Sequence, residues 1–389
     1  MDRQVVRVAA AAFVAAAVLG AALAAHGHPA YGREAAFQIL LGAAFGAVLQ
    51  RARFCMTSAF RDLFLLRDRR TMLGVLTALA AGCVGYAVLF EARLPDPSRW
   101  TPPLAHILPT NWHVLAGGTV FGAGMVLAGG CISGQLYRLG EGQMTAPVAL
   151  AMMVPGYWLA YSIWDWVYVK AVAREVFWLP RSTGYAVALA VHLAALGAVA
   201  AYLLWKFPAL PPKPGEPATL RTALRKTFVD GWPAWLGGLA VGAIATLAYL
   251  RTVPLSTTGE INRLSHALGK TLGVAPAELA GLGKLPGCRP EMTTGALTLN
   301  ALFVLAAVAG AFAAALGAGE FRPRLGRPRS LALAAAGGLL MGFGAMISIG
   351  CTIGSFLSGF MAFSAHAWVM AAGLMIGAWL GVKLLRRWA

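Results

Sequence analysis

The side chains of this 389-residue chain best equipped for chemistry are its five cysteines, Cys55, Cys83, Cys131, Cys288 and Cys351. Two of them lie near the ends of matching segments. Ala116 to Gly134 (AGGTVFGAGMVLAGGCISG) and Ala336 to Gly354 (AGGLLMGFGAMISIGCTIG) align at a fixed offset of 220 residues, sharing an alanine, six glycines and the pair Cys131/Cys351. The match points to an internal duplication with two equivalent half-sites, in each of which backbone packs closely around a thiol. A thiol is a weak hydrogen-bond donor and a polarizable contact. With an ordinary pKa of about 8.5 it is neutral at neutral pH and does not repel an anion. Several thiols in series would suit a soft, sulfur-bearing solute, because permeation needs binding strong enough to admit it and weak enough to release it.

Cys55 joins this set because it follows Arg51 and Arg53 and opens a break after a hydrophobic stretch, so that Cys55, Cys131 and Cys351 could form a line near the centre of the protein. Cys83, in AAGCVGYA, reads as a small buried hydrophobe. Cys288, in KLPGCRPEM beside Lys284 and Arg289 in a predicted extracytoplasmic loop, could aid solute capture or be incidental. No CxxC and no zinc-like Cys/His spacing occurs, so no metal or other cofactor is implied. The alternatives for the thiols are a structural disulfide or inert core positions.

In the second repeat the counterpart of the Cys55 segment is RTVPLSTTGE (251–260), which has no cysteine. Thr257 and Thr258 could supply hydroxyl donors there, or cap the helix that follows. Arg53 and Arg61 could draw an anion to the inner mouth or simply mark topology. Gln135 and Glu141 follow Cys131 and could line a path; Asp165 and Glu291 are candidates for ion coupling; His266 and His366 read as structural. The GKT at Gly269–Thr271 has Leu264 where a phosphate loop needs a glycine, so it is not a nucleotide site.

These residues must be positioned by membrane helices. Hydrophobic residues make up 59% of the chain and charged ones 12%, and the mean hydropathy is +0.68, too apolar for a soluble domain of this length. Apolar stretches at roughly 5–25, 36–50, 71–91, 114–130, 145–163, 184–205, 233–250, 296–318, 331–349 and 366–385 come near the ~20 residues that span hydrocarbon. The predicted fold is an all-α integral membrane protein of nine or ten spans. The formal charge of +17 does not signal nucleic acid, because 20 of the 32 basic residues fall in five segments that the span count puts on one side. The positive-inside rule makes that side cytoplasmic, with both termini on it.

The two repeats lie five crossings apart, an odd number, which predicts inverted halves: 1–205 and 231–389, joined by a Pro- and Lys/Arg-rich cytoplasmic linker, 206–230. Inverted repeats commonly frame a solute site near the midplane; the bland alternative is that the glycines serve helix packing alone. Phe54–Leu66, Ser133–Thr145 and Thr352–Ser364 are too short to span and read as re-entrant segments, tolerated where they are buried or line a polar cavity.

RARFCMTSAFRD (51–62), AGGCISGQLYRLGEGQ (128–143), GEFRPRLGRPRS (319–330), GFGAMISIGCTIGSFLSGF (342–360) and SAHAW (364–368) resemble the YeeE/YedE family of bacterial sulfur-compound transporters, from about Gly42 to Leu385. The resemblance implies a bacterial inner-membrane protein of two pseudo-symmetric halves that takes up thiosulfate through successive hydrogen bonds to thiols. It carries the family's essential cysteines over to Cys55, Cys131 and Cys351. LYRLGEGQ and PGYWLAYSIWDW look like the YedE branch, for which a selenium compound is an alternative substrate. Some relatives occur beside small cytoplasmic sulfur carriers of the TusA type, which basic loops could dock. Two other classes stand against transport: a membrane sulfurtransferase forming a persulfide on Cys131, which would need a neighbouring base, and an assembly subunit indifferent to its cysteines.

Overall fold

In a computed structural model the chain forms ten helices long and apolar enough to cross a membrane, one for each predicted stretch. The structure describes residues 3–29, 31–207, 230–285 and 297–388. Most of the predicted linker (208–229), together with Cys288 and Glu291, therefore lies outside the described residues. The spanning elements are α1 (Arg3–Gly27), α2 (Gly32–Ala52), α4 (Arg70–Arg93), α5 (Trp112–Leu127), α7 (Thr145–Val167), α8 (Pro180–Lys206), α9 (Ala234–Arg251), α11 (Leu299–Gly317), α12 (Pro328–Ile347) and α14 (Ala365–Trp388). Four shorter helices are set between them: α3 (Met56–Leu65), α6 (Ile132–Gly140), α10 (Thr258–Thr271) and α13 (Thr352–Met361), the last beginning as a wide π turn. Three of these match the segments read as too short to span; the fourth follows the Thr257–Thr258 pair.

Between helices in a bilayer there is little hydrophobic driving force, so close backbone packing by small residues takes its place. α2 lies along α11, α4 along α9, α7 along α12 and α5 along α14, while α5 also crosses α12. At each contact a glycine admits the neighbour's backbone: Gly46 meets the carbonyl oxygen of Ala307, Gly238 that of Gly74, Gly342 that of Met153 and Gly377 that of Thr119. A methyl at any of these positions would collide with that oxygen. The pairings obey an exchange rule: swapping α2 with α9, α4 with α11, α5 with α12 and α7 with α14 reproduces the same list. α1 and α8 sit outside this core, α1 against α2 and α11, α8 against α4.

The basic segments meet at one end of the bundle. Arg51 Nη2 donates to Asp230 O at 2.7 Å, Arg53 pairs with Glu320 at 3.0 Å, and Arg69 Nη1 donates to Leu204 O at 2.9 Å. The backbone of Arg322 donates to Glu141 O at 3.0 Å, so the segment between α11 and α12 is laced to the end of α6.

Candidate functional site

The three repeat-related cysteines, with Thr257, each occupy the residue immediately before a short helix: Cys55 before α3, Cys131 before α6, Thr257 before α10 and Cys351 before α13. Local backbone explains the breaks. α2 ends at Arg53 in the left-handed region (φ 48°), and α5 ends through Gly129 (φ 76°), which needs no strain. At the equivalent point after α12 the left-handed residue is Ile349 (φ 57°), followed by Gly350 (φ 140°). A polar side chain four residues beyond Cys131, and another four beyond Cys351, ties the turn back. Gln135 Nε2 donates to Ala128 O at 3.0 Å and Gly130 O at 3.1 Å; Ser355 Oγ donates to Ile349 O at 2.7 Å.

These four positions form two pairs. Cys55 Sγ lies 3.8 Å from Cys131 Sγ, and Cys131 Sγ lies 3.3 Å from Ser133 Oγ. Cys351 Sγ lies 3.7 Å from Thr257 Oγ1 and accepts from the amides of Ile353 and Gly354 at 3.4 and 3.5 Å. Thr257 makes no side-chain cap to its helix, so its hydroxyl faces the thiol. All four side chains are fully buried, and none of the three thiols is in a disulfide. The two pairs lie toward opposite ends of the α5–α12 crossing: Gly117 abuts Ser348 and Gly337 abuts Ala128. The antiparallel register places Ala128 and Ser348 roughly 16 Å apart along the helices.

The thiol pair lies toward the basic end. Gly134 sits directly on it, where a Cβ would fall 2.6 Å from Cys55 Sγ. Just beyond is a polar cluster. Arg53, half-exposed, reaches Glu141 at 3.5 Å and Glu320 at 3.0 Å; Gln50 Nε2 donates to Glu320 at 2.6 Å and Glu141 at 3.3 Å; Gln143 donates to Glu141 at 2.8 Å. Arg138 packs against the same turn, with Nη1 3.0 Å from a Cβ built on Gly129. Arg138 and Glu320 were not singled out by the sequence, although both lie inside segments that carry the family resemblance.

The thiol–hydroxyl pair lies toward the other end, beneath the connection from α4 to α5. His106 of that connection is buried, makes no hydrogen bond to a described residue and has its Nδ1 unpartnered. A Cβ on Gly354 would lie 3.6–3.7 Å from the ring of His106 and 3.8 Å from Ser256 Oγ. Burial, aided by His366, pushes the His106 imidazole down to about 4, so it is neutral at neutral pH. Thr258 is buried and lines a cavity of about 10 Å³ with Gly350 and Asn262, room for about one water.

The remaining candidates are elsewhere. Arg61 pairs with its neighbour Asp62 at 2.8 Å. Asp165 accepts from Ala280 N at 3.1 Å and so fastens a loop. Cys83 is buried with Sγ 3.7 Å from Phe360 O. His266 Nε2 lies 3.0 Å from Pro276 O and His366 Nδ1 2.9 Å from Pro109 O, partners that fit structural roles.

A family model described as sulphur transport matches residues 51–380. The thiosulfate transporter TsuA of Spirochaeta thermophila is 29% identical over 362 residues, 90% of this chain and 98% of that protein. TsuA of Escherichia coli is 28% identical over 372 residues, 88% of this chain and 92% of that one. The probable transporter YedE of Escherichia coli is 34% identical over 128 residues, 33% of this chain and 29% of its own. These relatives are named as transporters, in keeping with a chain that is not an enzyme. With ten apolar helices and a match over most of its length, the chain is a multi-pass membrane protein and belongs to the sulphur transport (YeeE/YedE) family.

Proposed function

We propose that this protein takes up thiosulfate, or a closely related sulfur anion, along a path with two stations: the Cys351–Thr257 pair on the outer side and the Cys55–Cys131 pair on the inner side. The observation that carries this reading is that both cysteines of the repeat are buried beside a second weak donor, a thiol for one and a hydroxyl for the other. Thiol and hydroxyl donors hold an anion loosely and need not change protonation as it passes. The relatives named for thiosulfate support the substrate. All three thiols are sealed from solvent here, so passage requires the path to open on either side of each station.

The exchange rule of the helix pairs supports inverted halves of 1–205 and 231–389, with the stations related by the same operation. The clustering of Arg51, Arg53, Arg69 and Arg322 at one end supports a cytoplasmic assignment for that end and for both termini, in a bacterial inner membrane. A small sulfur carrier of the TusA type would collect solute there.

The test is uptake of labelled thiosulfate by cells lacking their own sulfate and thiosulfate importers, at matched membrane expression. Uptake by wild type that vanishes in Cys131→Ala is expected. A well-folded wild type that takes up nothing would sink the thiosulfate reading and bring selenium solutes forward.

A further inference from the structure

Among the described residues outside the two cysteine pairs, several buried polar atoms have no hydrogen-bond partner, and one of them, Nδ1 of His106, belongs to a ring that lies beside the outer pair. His106 lies in the connection 94–111, is 3% exposed and makes no hydrogen bond to a described residue. Its position is fixed by two glycines of α13. The His106 carbonyl oxygen lies 3.2 Å from a Cβ built on Gly359, and its ring edge, Cε1 and Nε2, lies 3.6 and 3.7 Å from one built on Gly354. Ser256 Oγ approaches the same point at 3.8 Å, and the amide of Gly354 donates to Cys351 Sγ at 3.5 Å. An imidazole and a hydroxyl thus face the bare Cα of Gly354, whose own amide is held by the Cys351 thiol. A buried donor with no partner is costly unless something supplies one.

We propose that His106 and Ser256 form, with Cys351, a subsite for a sulfur oxyanion that carries both a terminal sulfur and oxygens. The thiol of Cys351 meets the soft sulfur, while the imidazole N–H and the serine hydroxyl donate to the oxygens. Gly354, with no side chain, leaves the approach between them clear when the path opens at this station. This assignment rests on the uptake reading above and extends it: the outer station selects for an anion with two chemically different ends. The equivalent position in the first repeat is different, since the space over Gly134 is filled by Cys55 Sγ.

The test is thiosulfate uptake by purified full-length protein in proteoliposomes, reading half-saturation and maximal rate separately for wild type, His106→Ala, His106→Gln, Gly354→Ala and Cys131→Ala. His106→Ala should raise the half-saturating concentration tenfold or more, the size expected for losing a hydrogen bond to a charged group. His106→Gln, which keeps an N–H donor, should recover most of that loss. Gly354→Ala, which places a methyl against both donors and removes neither, should raise it as well. An unchanged half-saturation in monodisperse His106→Ala, or a His106→Gln no better than His106→Ala, would overturn the assignment alone, provided that wild-type uptake is present and lost in Cys131→Ala. Wild-type vesicles that take up no thiosulfate would overturn the uptake reading and this subsite with it.

Discussion

The two cysteine turns share one backbone design and present different chemistry. Both follow a long helix of the central crossing, turn through a left-handed residue, place a cysteine before a short helix and tie the turn with a side chain four positions on. Opposite Cys131 stands a second thiol; opposite Cys351 stands Thr257, with His106 and Ser256 over the neighbouring glycine. The repeat therefore preserves the turn, and the residue facing it comes from a separate segment that is free to differ. On the proposed path, two turns of like backbone would serve as unlike stations for one solute.

Four measurements would break or sharpen this comparison. The largest effect should come from Cys55→Ala and Cys131→Ala, each expected to cut thiosulfate uptake more than tenfold; retained uptake in either would remove the thiol pair from the route. Next, Gly134→Ala and Gly354→Ala should part company in the thermal unfolding midpoint. The first places a methyl 2.6 Å from Cys55 Sγ, whereas the second meets neighbours only at ordinary contact distances. Overpacking of this kind costs about 1–3 kcal/mol, so equal midpoints would contradict the asymmetry.

Thr257 offers a finer probe. Thr257→Val, which keeps shape and loses the hydroxyl, should lower uptake about threefold to tenfold, in line with a neutral hydrogen bond of about 1 kcal/mol. Thr257→Cys, which makes the outer pair resemble the inner, should keep most of it. A valine variant with full uptake would leave Cys351 acting alone.

The smallest effect concerns pH. The folded protein holds His106 neutral down to about 4, against an ordinary 6.5. Between those values the unfolded chain binds a proton that the folded one refuses, so this group's contribution is present above about 6.5 and lost as pH falls toward 4. The drop in unfolding midpoint between pH 7 and pH 5 should shrink in His106→Gln; an identical drop would mean that the imidazole is not buried neutral.

Much of this architecture was legible in the sequence. Ten apolar stretches, the Cys131/Cys351 match and the three short segments all reappear as helices and turns at those positions, because hydrophobic length and glycine placement are local properties. The pairings were not. That Cys55 meets Cys131 across 76 residues while Cys351 meets Thr257 across 94 depends on how helices stack. His106 is a lone histidine in a proline-rich connection, and only the two glycines of α13 reveal what it leans on. Glu320 likewise carries no signal of its own in the sequence, because its contacts with Gln50, Arg51 and Arg53 depend on how the helix ends meet.

The interlocked helix pairs bear on how the chain is made. α2, α4, α5 and α7 find their main partners in α11, α9, α14 and α12, all of which lie beyond residue 230. When the chain through Lys206 has emerged, α1 can lie on α2 and α8 on α4, but α2, α4, α5 and α7 still lack their main partners. Their glycine-lined faces close only when the later segments are in place. The core of the early helices is therefore completed from the far end of the chain, and a chain cut short soon after residue 230 leaves them open as well.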